Sequence, residues 1–457
     1  MATITSSGIG SGLDINGIID KLMAVERKPI DALEQRKSTV QTQISAFGQV
    51  KSALSTLQSA VKRLDDPSVR YATTASVSEG AGFTASASAG ASTGTYEIGV
   101  QQLAQAQRVA TSATQPFTPG AGRLTISAGG QSVEVDFSGG GSLADLRNAI
   151  NDQAGSLVSA SIVDNGTAQQ LVLTSRQTGT GQAFSLTGTG ELAGLTFDPT
   201  NPLTEPGNSV YQVQAAQDAK LKFNGLEVTR SSNTIEDLIP GVTLSLQSAT
   251  PGQTSTLSVQ RDDSALTQAM QEFVDAYNAV NNTLYTLTYY DPESKTAGPL
   301  SGDSALRTIQ SQLRNTLNSL GGSGGLRSFT DLGLSFDDKG ALSFDAATFA
   351  QALRDQPQAV NQMLVGTDTQ PGLASRLDTL LTADLQTGGL LETRVQGLNA
   401  KVSLIDQQKE RLEAQLERIQ QNYQRQFSAM DSIVGQYTSL GSYLQQQFDA
   451  LLASTKN

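Results

Sequence analysis

Residues Val402 to Leu452, set out in sevens, read VSLIDQQ KERLEAQ LERIQQN YQRQFSA MDSIVGQ YTSLGSY LQQQFDA LL. The first place of each group holds Val402, Leu416, Tyr423, Met430, Tyr437, Leu444 and Leu451, interrupted by Lys409. The fourth place holds Ile405, Leu412, Ile419, Ile433 and Leu440, with Gln426 and Gln447 as its polar members. Apolar residues alternating by steps of three and four line one side of an α-helix, and such a line is buried only against another helix. No proline interrupts the run from Leu390 onward, so roughly 60 residues at about 1.5 Å each predict a rod about 90 Å long. A compact domain is narrower than that, so part of the rod is expected to protrude. The acidic side chains of the stretch (Glu392, Asp406, Glu410, Glu413, Glu417, Asp431, Asp449) are matched in number by basic ones (Arg394, Lys401, Lys409, Arg411, Arg418, Arg425, Lys456). Mixed charge flanking an apolar seam suits lateral helix pairing. The competing reading is a long helix folded back within one globule.

The other end of the chain supplies a mate. From Ile30 to Leu64 the residues Leu33, Val40, Phe47, Leu54 and Val61 recur every seven, and Val50, Leu57 and Leu64 form a second line. Asp65, Asp66 and Pro67 end this helix. Leu13 to Lys28 reads as a shorter helix with Ile15, Ile18, Ile19 and Leu22 on its apolar face. Pro29 predicts a break between the two, because it lacks the amide donor and disfavours helix in the residue before it. If the terminal rods pair, the chain leaves and returns by one route. The candidate partner-binding residues are then Leu33, Val40, Phe47, Leu54, Val402, Ile405, Leu412, Leu416, Ile419, Tyr423, Met430, Ile433, Tyr437, Leu440 and Leu444.

Between Ser76 and Ser264 the apolar period becomes two, and Ala, Ser, Thr and Gly dominate. Strands are expected at Phe83–Ala89, Tyr96–Val100, Arg123–Ile126, Val133–Phe137, Val158–Val163, Leu171–Thr174, Leu221–Phe223, around Val228, Val242–Leu246 and Thr256–Val259. Ser142 is placed to cap a short helix through Leu143, Leu146 and Ile150. At Ser264 the helical period returns through Leu266, Met270, Phe273, Tyr277, Val280, Leu284 and Leu287, then Leu306, Ile309, Leu313 and Leu317 up to the glycine run at Gly321 to Gly325. A hairpin over Asp337–Gly340 and helices at Ala346–Leu353 and Pro357–Leu364 follow. Helices outside and strands inside predict an α+β multidomain chain. Long terminal helices pair as a coiled-coil stalk, a helical-bundle core follows, and β-rich head domains are inserted into it. The expected division is a leg of 1–42 and 405–457, a helical core of 43–75 and 265–404 with a small hairpin, a β-rich domain of 76–118 and 217–264, and an outer β-rich domain of 119–216.

Composition narrows the chemistry. The 457 residues carry 31 basic and 43 acidic side chains, net −12, and no histidine, cysteine or tryptophan. That balance argues against a polyanion partner, which needs a basic patch. Imidazole bases, thiolate nucleophiles and thiolate metal sites are excluded. No stretch of about 18 apolar residues is present to span a membrane. Met1 to Gly12 lacks the charged head and apolar run of a cleavable secretory signal. Asp337-Asp338-Lys339-Gly340 reads as a turn, since it lacks the spaced ligands of a calcium loop. Gly8, Gly10 and Gly12 follow no strand and make no dinucleotide site. No enzyme activity and no catalytic, cofactor or metal site are expected.

Specific runs then carry a resemblance. Gly8-Ile-Gly-Ser-Gly-Leu-Asp14, Ile18-Ile-Asp-Lys-Leu-Met23 and Glu26-Arg-Lys-Pro-Ile30 closely resemble the start of the bacterial flagellar filament cap (hook-associated protein 2) family. Phe223-Asn-Gly225, Arg230 to Ile235 and Ile239 to Leu244 resemble the opening of its C-terminal region. Ser142 to Leu146, Ala160 to Ile162 and Leu171 to Ser175 resemble a repeat shared by flagellins and hook proteins. The resemblance implies a ring-like homo-oligomer at the distal end of the filament, a plate with legs. Flagellin folds beneath it and is kept from leaking away. It also implies export by the flagellar type III apparatus through an uncleaved, disordered N-terminus, and an extracellular location. The implied partners are further copies of the chain, flagellin, the hook-filament junction protein, an export chaperone on the C-terminal helix and, for some members, host mucin. Another axial protein, an adhesin, or a glycan-acting enzyme on a stalk are the other readings. The polar seam members Lys409, Gln426 and Gln447 suit legs that grip weakly enough to step.

Overall fold

The computed structural model describes residues 12–319, 325–367 and 369–454. Residues 1–11, most of the expected export segment, lie outside the described residues. So do residues 320–324, which hold most of the glycine run. The chain divides into two compact units, residues 1–65 with 267–457, and residues 66–266.

The chain opens with Ile15–Glu26 (α1), capped by Asp14, whose side chain accepts from the Gly17 amide. The expected break at Pro29 falls at Arg27, and the 38-residue Lys28–Asp65 (α2) follows. Asp66, expected only as part of a stop signal, has a second use. Its carboxylate accepts from the Ser68 amide and starts the single turn Pro67–Arg70 (α3).

The middle unit is built of antiparallel strands: Thr73–Val77 (β1), Phe83–Ala87 (β2), Gly94–Gln102 (β3), Arg108–Thr111 (β4), Gly122–Ala128 (β5) and Gln131–Phe137 (β6), then helix Leu143–Ala154 (α4). Val158–Asp164 (β7), Gln169–Ser175 (β8), Ser185–Gly190 (β9), Val210–Gln214 (β10), Ala219–Phe223 (β11), Leu226–Arg230 (β12), Thr234–Ile239 (β13), Val242–Leu246 (β14) and Ser255–Arg261 (β15) follow. Sheets β1-β15-β3-β11-β12 and β13-β14-β2 enclose one core, around Ile98, Val100, Leu221, Leu244 and Leu257. Sheets β10-β4-β8-β7 and β6-β5-β9 with α4 enclose another, around Leu124, Ile126, Leu146, Ile150, Leu171 and Phe184. Local chemistry explains the expected pieces. Gly129 and Gly130 both take positive φ (57° and 80°), which the two-residue turn between β5 and β6 requires. Ser142 and Asp145 exchange hydrogen bonds as a capping box on α4, and Ser142 holds the Asp145 carboxyl below its usual value. Strands β1, β4, β9, β10 and β13 were not expected. β9 reads SLTGTG, with little apolar alternation, and irregular register interrupts the pairing of β10 and β13.

In the helical unit, Asp263–Thr288 (α5), a short hairpin of Tyr290–Asp291 (β16) and Thr296–Ala297 (β17), Ser304–Asn318 (α6), and the hairpin Leu334–Phe336 (β18) with Leu342–Phe344 (β19) come next. Asp337 closes the latter hairpin by accepting from the Lys339 and Ala341 amides. Ala346–Asp355 (α7), Pro357–Leu364 (α8), Leu373–Leu385 (α9) and Leu390–Ser454 (α10) complete the chain. α9 was not expected. It starts at Gly372 with no side-chain cap, yet its buried Leu377 and Leu381 pack it against α2. α10 is a single 65-residue helix, about 98 Å at 1.5 Å per residue. The molecule is thus an α+β chain with a long C-terminal helix and several small sheets.

Candidate functional site

The paired terminal helices carry the residues singled out by periodicity. α2 and α10 pack together around Leu33, Val40 and Ile405. Leu33, Val40 and Ile405 form a buried cluster, with Val402 and Leu412 of the expected seam, and Leu398 and Ile44, half-buried against it. Ion pairs run alongside. Lys37 Nζ lies 2.7 Å from Asp406 Oδ1, and Lys409 Nζ lies 2.6 Å from Glu34 Oε1. Lys409, the one break in the first heptad line, therefore points across to α2. The hydrogen bond from Lys409 holds the Glu34 carboxyl below its usual value, and Glu34 in turn raises the Lys409 amine.

Phe47 and Leu54 are fully buried but do not join that cluster. They lie on the half of α2 that runs toward α9, where the Gln58 amide donates to Asp378 and Thr382. The expected N-terminal seam is thus divided between the helix pair and the helical bundle.

Farther along α10 the seam loses its cover. α1, with Ile15 and Ile19 buried, packs on α10 and leaves Leu416, Ile419 and Tyr423 half-buried. Beyond it, Met430 is 36% exposed, Ile433 53%, Tyr437 71%, Leu440 52% and Leu444 48%. Periodicity alone missed Tyr443 and Phe448, which widen the same uncovered face. It also missed Leu404, an exposed leucine in an open cleft between α2 and α10. A two-line seam assigns such residues to neither line; a wider apolar stripe includes them. Among the described residues, no group of His, Cys, Asp and Glu is arranged to hold a metal ion, and no helix is long and apolar enough to cross a membrane.

Comparison with known proteins matches this arrangement to a family. A profile described as the flagellar hook-associated protein 2 N-terminus matches residues 11–107, and one described as its C-terminus matches residues 216–439. A flagellin hook IN motif matches residues 123–177, the segment containing the α4 capping box. The A-type flagellar hook-associated protein 2 of Pseudomonas aeruginosa is 32% identical, with 98% of each chain covered. This chain belongs to the flagellar hook-associated protein 2 family. The Escherichia coli K12 member is 33% identical over 98% of this chain and 99% of its own length. A crystal structure of the D1-D2-D3 domains of the flagellar cap protein FliD from Escherichia coli superposes with a TM-score of 0.67 at 32% identity, covering 78% of this chain and 99% of that one. The family is one of structural flagellar cap proteins.

Proposed function

We propose that this protein caps the distal end of the bacterial flagellar filament as a ring-like homo-oligomer. There it promotes the folding and insertion of flagellin and prevents loss of flagellin monomers. The observation that carries this reading is the uncovered apolar face of α10 from Met430 to Phe448. About 27 Å of amphipathic helix with no mate among the described residues of its own chain is suited to a partner helix. Flagellin, the hook-filament junction protein and an export chaperone are the partners proposed for it. Export through the flagellar type III apparatus without a cleaved signal, and an extracellular site of action, belong to the same proposal. So does the fourfold division into leg, helical core, β-rich and outer β-rich domains.

Deletion of the gene tests the reading. Unpolymerised flagellin is expected in the medium, with short or absent filaments, and the intact gene restores them. Full-length filaments without the gene would overturn it. A restoring gene carrying Tyr437→Ser and Leu440→Ser is expected to leave flagellin in the medium, while the purified variant stays folded, since both side chains are exposed.

A further inference from the structure

The chain contains three Asn-Gly pairs, Asn16-Gly17, Asn165-Gly166 and Asn224-Gly225, and all three asparagines are exposed. A glycine carries no side chain to keep its amide from the asparagine before it. The three pairs are nonetheless held differently. Asn16 sits in the first turn of α1, and a helical side chain points back toward the helix start, away from the amide that follows it. Asn224 takes φ 48° in the turn between β11 and β12. Its Oδ1 accepts from the Glu97 amide at 2.8 Å, so its side chain is turned across to β3. Asn165 lies in the short connection between β7 and β8. Its Oδ1 accepts from the Thr167 and Ala168 amides, both at 3.0 Å, which draws the side chain forward along its own loop. Between them, the Gly166 amide donates to Asp164 Oδ1 at 2.8 Å.

We propose that Asn165 is a site of self-modification, converting without an enzyme to aspartate and isoaspartate. The loop supplies each part of the reaction. Asp164 takes the proton from the Gly166 nitrogen as that nitrogen attacks Asn165 Cγ. The Thr167 and Ala168 amides point at the oxygen on which negative charge grows, as preset donors to a tetrahedral intermediate do. The new N–Cγ bond closes a succinimide ring. The Cγ–Nδ2 bond breaks, and the side-chain nitrogen leaves as ammonia, carrying away the proton that Asp164 took. Gln170 Oε1, 3.5 Å from Nδ2, stands beside the departing group. Water then opens either carbonyl of the ring, and the loop gains a negative charge. An aspartate at this position keeps the two backbone donors, now as charge-assisted bonds, so the loop is suited to hold its product. At Asn224 the carbonyl is fixed to another strand, and at Asn16 the helix points the side chain away. This reaction is independent of the capping reading.

Mass spectrometry of peptides from the full-length protein, aged at mildly alkaline pH, tests this, with Asn165→Asp marking the aspartate product. Asn165 is expected to convert about tenfold or more faster than Asn224 and Asn16, the factor in rate that one hydrogen bond to a developing charge supplies. In denaturant the three rates are expected to converge, since glycine follows each asparagine. Equal rates in the folded protein would overturn the proposal. So would the same ranking kept in denaturant, because sequence rather than the loop would then set it. Asp164→Ala, an exposed substitution, is expected to slow conversion of Asn165 about tenfold or more, leaving strand content and the rate at Asn224 unchanged. Conversion of Asn165 undiminished by that variant would overturn the proposal equally.

Discussion

The near and far parts of α10 carry the same heptad and meet different fates. At Ile405 the seam is 7% exposed, closed by Leu33 and Val40 of α2 and flanked by the pairs Lys37–Asp406 and Lys409–Glu34. Five heptads on, Leu440 holds the matching position and is 52% exposed. A heptad states that a helix has one apolar side; it does not state which partner covers that side, or when. The near part is committed within the chain. The far part is uncovered among the described residues.

Truncation separates the two parts most strongly. Ile405→Ala, in the closed near part of the α10 seam, is expected to destabilise the helical unit by about 2–5 kcal/mol. Tyr437→Ala is expected to change stability by less than about 0.5 kcal/mol. Urea unfolding at low protein concentration, followed by helix content, checks both; equal losses would erase the contrast.

A smaller effect of opposite sign is expected at Asp384. This residue of α9 is 6% exposed, its Oδ2 has no hydrogen-bond partner, and burial raises its carboxyl above the usual value. A raised folded-state value means that the stabilising share is present below the unfolded value and is lost as pH rises through the folded one. Asp384→Asn is therefore expected to stabilise the protein by roughly 1 kcal/mol at neutral pH, with the gain shrinking toward about pH 4. Unfolding measured across that pH series shows whether the two curves converge.

The smallest effect in the isolated chain, and the sharpest division between the parts, belongs to the polar seam. Gln426 and Gln447 are exposed, so replacing both with leucine is expected to leave monomer stability within about 0.5 kcal/mol. In cells the same pair is expected to tighten the leg on its partners and slow filament growth. Filament length against time, measured with and without the substitutions, reads this directly.

Much of the fold was legible because its signals are local. The Pro29 break, the Ser142 cap and the hairpin at Asp337 each depend on a few consecutive residues. β9 and α9 were not legible in the same way. β9 has little apolar alternation and is held by pairing with β5, more than fifty residues earlier. α9 has a leucine face but no capping side chain, and its packing partner is α2, over three hundred residues away. The candidate surface was legible as a line of residues, while its division into buried and open parts was not.

By itself the sequence determined that α10 is one long helix, that its apolar residues share one side, and that α2 is its match in pattern. Periodicity and the absence of proline suffice for those. Tertiary structure decided where the match stops. α2 turns its second half, with Phe47 and Leu54, into the helical bundle, and α1 is only twelve residues long. The mates are therefore too short for the 65-residue helix. Burial follows which surfaces the whole chain brings within reach, and no local stretch of α10 contains that information.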